Sequence, residues 1–150
     1  MLEDDGQEWW GYGFMSDHSD PNAVEKQFMD NVLYLEFYCR NLGLERRGMT
    51  LAKRIAALFD RLPAGCESHI TDDRVALVRA IVDFRNRTAH GKYDSTRPHS
   101  DRVLALSIKV AALLHISETL DESGNEEAFR RASIGSPFLR KMLATTDRSL

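Results

Sequence analysis

Apolar residues recur at three-and-four spacing in four successive segments of this chain, and nowhere do they alternate with period two long enough to make a strand. The segments are Phe28, Val32, Leu35, Cys39 and Leu42; Leu51, Ile55, Leu58 and Leu62; Val75, Val78 and Val82; and Val103, Leu106, Val110 and Leu113. An α-helix repeats every 3.6 residues, so each set marks one apolar stripe that has to be covered by something. An all-α fold follows, with four main helices in an up-down bundle, one or two short C-terminal helices and an irregular N-terminal arm.

The breaks between these stripes carry the residues that start and stop helices. Asp20 and Pro21 suit the cap and first position of helix one, and Gly43 lies just past its end. A second helix spans about 51 to 62 and ends at Pro63, and residues 63 to 70 read as a loop. The third starts at Thr71 or Asp72 and stops near Gly91, because glycine tolerates the left-handed conformation that closes a helix. The fourth follows a loop over 95 to 100; Leu104, Ile108 and Ala111 add a second stripe beside its first, as in a central helix with neighbours on both sides. Ser123 and Glu126 form a capping-box pattern before a short helix around Phe129 that leads to Gly135. Ser136 and Pro137 then start a last turn or two containing Phe138, Leu139 and Leu143. The domain reading is an acidic, aromatic arm or linker over 1 to 20 and a single helical domain over 21 to 150.

The formal net charge of −3 conceals a split between these parts. Glu3, Asp4, Asp5, Glu8, Asp17 and Asp20 face no Lys or Arg within the arm. Removing those six acids from 23 leaves 17 against 20 bases in the domain. Fifteen of the 20 are arginines, whose planar fork suits phosphate. Trp9, Trp10, Tyr12 and Phe14 give the arm an aromatic face that either docks on a groove or partner or belongs to an interdomain linker. No apolar run approaches the roughly 18 to 20 residues of a membrane span, and the N-terminus does not read as a signal peptide, so a cytoplasmic protein without membrane contact is expected. Cys39 and Cys66 lie in different segments with no CxxC or Cys/His ligand spacing and read as reduced thiols; no metal site is expected. His18, His69, His99 and His115 are scattered, and His115 follows Leu104, Ile108 and Ala111 as an interior or interface residue.

The end of the third helix is chemically richer. Asp83-Phe84-Arg85-Asn86-Arg87-Thr88-Ala89-His90-Gly91-Lys92-Tyr93 closes it. At roughly 100° per residue Arg85 lies within about 20° of Val78 and continues the valine stripe. A guanidinium there is costly unless it faces a wet cleft, a carboxylate or a subunit interface. Arg85 and His90 stand about 140° apart on an ideal helix, but a helix that ends at Ala89 or His90 lets the imidazole swing towards the arginine. Asn86, one turn before His90, is placed to orient its ring. Histidine moves protons near neutral pH and arginine stabilises charge on phosphoryl oxygens, so the pair suits cleavage of RNA by attack of a ribose 2′-OH on the adjacent phosphate. One histidine serves poorly as both acid and base, and a two-fold dimer would supply a second.

Arg85-Asn86-Arg87-Thr88-Ala89-His90-Gly91, together with Leu35-Glu36-Phe37-Tyr38-Cys39-Arg40, resembles the HEPN superfamily, most closely its Apea-like branch. The resemblance runs over roughly residues 28 to 120. It implies an all-α homodimer with metal-independent, cofactor-free endoribonuclease activity, used in anti-phage defence or toxin systems. It also implies Arg85 and His90 as catalytic residues and Asn86 as the polar support; beside them Arg87, Lys92 and Tyr93 are candidate supporting or RNA-binding residues, with Arg87 and Lys92 extending the basic rim. Some relatives have a modified tyrosine two residues after the histidine; Tyr93 stands three after His90. The resemblance further implies a controlling element, either an N-terminal domain of a longer chain or a separate antitoxin. Two other readings of the same residues stand beside it. One is a non-catalytic module that binds nucleotide or RNA or serves as a dimer contact; the other is a structural domain in which Arg85 pairs with Asp83 or a partner carboxylate.

Overall fold

A computed structural model of the chain describes residues 20–44, 47–91, 97–125, 127, 137–144 and 146. It is an all-α bundle with helices α1 (Pro21–Asn41), α2 (Leu51–Asp60), α3 (Arg74–Ala89), α4 (Arg97–Ser123) and α5 (Pro137–Ala144), and a 3₁₀ turn at Glu67–His69. No strand occurs among the described residues. The arm over 1 to 19, the capping box at Ser123 and Glu126, the helix around Phe129, and Lys92 and Tyr93 lie outside the described residues or have side chains that do.

The long helix α4 organises the rest. From Val103 to Ser117 none of its residues is exposed, and α1, α2, α3 and α5 all touch it. The two expected stripes are therefore parts of one continuous apolar surface, with Ala105, Ala111 and Ala112 permitting close approach. By length and composition, His99–Glu122 is sufficient to cross a membrane, contrary to the expectation that no run comes near that length; here most of it is buried within the bundle. Its one charged residue in the deepest part, Lys109, is fully buried.

The partner with which α4 packs most extensively is α1, through Val24, Phe28, Val32, Leu35 and Cys39. Asp20 caps α1 by accepting from the amide of Asn22 at 3.0 Å, with Pro21 in the first turn. Gly43, at φ +73°, closes it: its amide donates to Arg40 O, and that of Leu44 donates to Cys39 O, both at 3.0 Å. This pairing satisfies carbonyls that have no partner inside the helix. Within the α1–α4 interface Asn31 is buried, and its Nδ2 donates to Ser107 Oγ at 3.0 Å and Ser107 O at 3.2 Å, while Gln27 donates to Asn31 Oδ1. Further along, the Tyr34 hydroxyl donates to Glu118 at 2.7 Å and the Tyr38 hydroxyl to Asp121, which also takes Arg61 at 2.7 Å. Burial and the neighbouring Glu118 carboxylate push the Tyr34 hydroxyl up to about 12, and burial beside Asp121 raises Tyr38 as well.

Three boundaries and one face depart from expectation, the first being that α4 begins at Arg97, inside the stretch expected to be a loop. α2 ends at Asp60 rather than Leu62, and α3 begins at Arg74 with Asp73 as its cap, because Thr71 folds its hydroxyl onto the amide of Asp73 at 3.0 Å and delays the helix. The stretch between them is more than a loop. Cys66 and Ile70 are fully buried at either side of the 3₁₀ turn, and Arg74 draws it in by hydrogen bonds to Glu67 (2.6 Å) and Asp60 (2.7 Å). Cys39 and Cys66 are both buried thiols. On α3 the core face is Leu77, Ile81 and Phe84, whereas Val78 and Val82 are half-buried and Val75 is 63% exposed. α3 has two apolar stripes, and the larger side chains take the interior.

Replacing Asn31 by Ala removes the donor that bridges α1 to Ser107 and should cost about 1–3 kcal/mol, read as a lower urea midpoint at unchanged m-value. His115 supplies a pH test. Burial lowers its pKa to about 4 from 6.5. The unfolded chain therefore binds the proton more readily, so this group's stabilisation is complete above pH 6.5 and drains away as the pH falls towards 4. His115→Asn should flatten the stability profile across that window.

Candidate functional site

The position of Arg85 follows from Phe84. The Phe84 ring is buried, edge-on to Phe28 at 5.5 Å and tilted against the His99 ring at 4.7 Å, which fixes the rotation of α3 against α1 and the start of α4. The next residue round the helix then emerges at the rim of the core, opposite α1. There Arg85 Nη2 lies 3.8 Å from Glu36 Oε1, and Arg85 Nη1 donates to Asn86 Oδ1 at 3.3 Å. On the other carboxylate oxygen, Arg54 Nη1 of α2 lies 3.6 Å from Glu36 Oε2. Three helices thus bring two guanidiniums to one carboxylate. The side chains are 37% exposed for Arg85, 23% for Glu36 and 15% for Arg54, so the group is set into the surface with Arg85 outermost.

The helix end itself is as expected. α3 stops at Ala89 with His90 as its C-cap (φ −96°, ψ 12°), whose amide reaches back to Asn86 O and Arg87 O, both at 3.2 Å. Gly91, at φ +72°, donates its amide to Thr88 O at 3.0 Å and turns the chain away. His90 is exposed.

Not every assigned role survives. Asn86 engages Arg85, not His90, and the imidazole has no side-chain hydrogen bond among the described residues. Arg87 is committed to its own helix, 3.0 Å from Asp83 and 5.4 Å over the Phe84 ring, so it contributes less to a basic rim than its sequence position suggests. Asp83 is consequently not the partner of Arg85; Glu36 is. Lys92 and Tyr93 lie outside the described residues. A shallow groove between α2 and α3, lined by Ala52, Ala56, Val75, Val78 and Val82, runs up to Asn86, and neither Arg85 nor His90 lines it.

Sequence reasoning missed the part played by Glu36 and missed Arg54 altogether. A signal for both was present: Glu36 follows Leu35, Arg54 precedes Ile55 and Arg85 follows Phe84, and each of those neighbours is buried. A charge one step from a core position sits at the rim of a helix interface, where opposite charges on adjacent helices meet.

No family model, curated protein or solved structure matches the chain.

Gly91 offers a test of how the site is held. A side chain at φ +72° is strained, so Gly91→Ala should cost about 1–2 kcal/mol in denaturant unfolding even though there is open space where its Cβ would go. A neutral substitution would mean that this turn does not set the position of His90.

Proposed function

We propose that the chain is a metal-independent endoribonuclease of the HEPN type, acting as a homodimer. The observation that supports it best is Arg85: a guanidinium oriented by Glu36 and Asn86 yet 37% exposed, on the helix that ends at the exposed His90. An arginine buried in a dry ion pair would be spent on folding. This one retains a solvent-facing edge for a phosphoryl oxygen.

In this reading Arg85 neutralises charge on the non-bridging oxygens as the 2′-OH attacks phosphorus. One His90 accepts the 2′-OH proton and the His90 of the second subunit gives a proton to the departing 5′-oxygen, leaving a 2′,3′-cyclic phosphate and a 5′-hydroxyl. The pairing of subunits has a surface to draw on. Val75, Val78 and Val82 form an apolar strip beside Ala52 and Ala56, and this strip points along α3 towards the site.

A second reading, a module that binds RNA without cutting it, has one observation in its favour: Asn86 serves Arg85, and among the described residues the imidazole has no side-chain hydrogen bond to set its orientation.

The two part on incubation with single-stranded RNA in chelator. Cleavage that falls at least about a hundredfold in both Arg85→Ala and His90→Ala is the expected result. RNA that stays bound but intact, with binding lost in Arg85→Ala, selects the binding module, and mutants that cut as well as wild type reject both. Light scattering at micromolar concentration should give twice 17.1 kDa.

A further inference from the structure

Both tryptophans of the chain, Trp9 and Trp10, precede the first helix, and there Trp10, Tyr12 and Phe14 alternate with Gly11 and Gly13. Residues two apart point the same way when a chain is extended, so this stretch can present three aromatic rings on one side over roughly 13 Å. Glu3, Asp4, Asp5, Glu8 and Asp17 flank the rings, with no Lys or Arg among them.

The bundle has a surface of matching shape and opposite charge. The groove between α2 and α3 is floored by Val75, Val78 and Val82, which span about 10 Å of α3. Ala52 and Ala56 on α2 are small enough to leave it hollow, and Val75 is 63% exposed. Of the charged residues on its rim, Arg74 is paired with Asp60 and Glu67, and Asp83 with Arg87. Lys53 and Arg79 are exposed, and neither enters an ion pair among the described residues.

We propose that this groove is the docking site of the chain's own N-terminal arm, with the rings of Trp10, Tyr12 and Phe14 against the valines and the arm's carboxylates beside Lys53 and Arg79. The tether is long enough. Phe28 packs edge-on to Phe84 at 5.5 Å, so α1 sets off near the Asn86 end of the groove, and Asp20 lies roughly 12 Å along α1 from Phe28. Trp10 is ten residues before Asp20, a reach of roughly 33 Å, against a spacing of about 10 Å between neighbouring helices. A second copy would bring the same two cations to the strip, whereas the arm brings acids and is held at an effective concentration of order millimolar. The valine strip is also the surface proposed for pairing of subunits, so arm and second subunit compete for it, and the arm sets the concentration at which pairing begins.

Because both tryptophans lie in the arm, the intrinsic fluorescence of the full chain reports on the arm alone. At nanomolar concentration the wild-type emission should lie to the blue of the urea-unfolded chain, with several-fold weaker quenching by acrylamide. Val78→Asp should move both readings to those of the unfolded chain. Lys53→Glu combined with Arg79→Glu should do the same, and these exposed positions keep the test valid if Val78→Asp does not fold, with circular dichroism as the check on helicity. Three results overturn the docking: a wild-type emission equal to that of the unfolded chain, a blue emission unchanged in the variants, or one that develops only at the concentrations where light scattering shows a dimer, which would make a second copy the occupant. None of these readings involves RNA, so the docking and the nuclease proposal stand or fall separately.

Discussion

A helix with no exposed residue across fifteen consecutive positions is the constraint from which the rest of this molecule follows. Such a helix cannot be served by one neighbour, so α1, α2, α3 and α5 gather around α4 and turn apolar side chains towards it. Burial of this kind also sets limits on polar groups. Asn31 is tolerated inside because Ser107 and Gln27 complete its hydrogen bonds, and Tyr34 and Tyr38 are tolerated because their hydroxyls find Glu118 and Asp121. The polar links are what hold α1 to α4 in a single register, since apolar contacts alone permit sliding.

The same constraint gives rise to the candidate site. Once Leu35, Ile55 and Phe84 are committed to the interior, the residues beside them are committed to its rim, and there they are Glu36, Arg54 and Arg85. Half-sheltered charges interact more strongly than fully solvated ones and are still reachable from solvent. Arg74 meets Glu67 at 2.6 Å and Arg61 meets Asp121 at 2.7 Å, with Arg74 also lying over the Phe59 ring.

Much of the architecture could be read directly from the chain because the relevant signals are local. Asp20, Pro21 and Gly43 delimit α1, Pro137 opens α5, and Gly91 stops α3, each through a backbone preference that needs no knowledge of neighbours. Two stripes on the fourth segment correctly marked a central helix. What could not be read that way was any choice between equals. α3 offers a valine stripe and a Leu77–Ile81–Phe84 stripe, and only the space left by α1 and α4 decides that the bulkier set goes in. Asn86 is one turn from His90 and adjacent to Arg85, and the rotation set by Phe84 hands it to the arginine. Glu36 and Arg54 meet across 18 positions of sequence, beyond the reach of any helical period.

Arg74 ties the beginning of α3 to α2 and to the 3₁₀ turn through two carboxylates and an aromatic face, whereas beyond Phe84 the last turn of the same helix is mostly exposed and closes on the Gly91 turn. The helix is staked at its root and lightly held at its tip. Amide protons should therefore exchange with solvent in a gradient along it, slowest near Leu77 and fastest near Ala89. A ligand that settles against the tip has only that last turn to order, so the work of fitting it is confined to a few residues and leaves the bundle undisturbed.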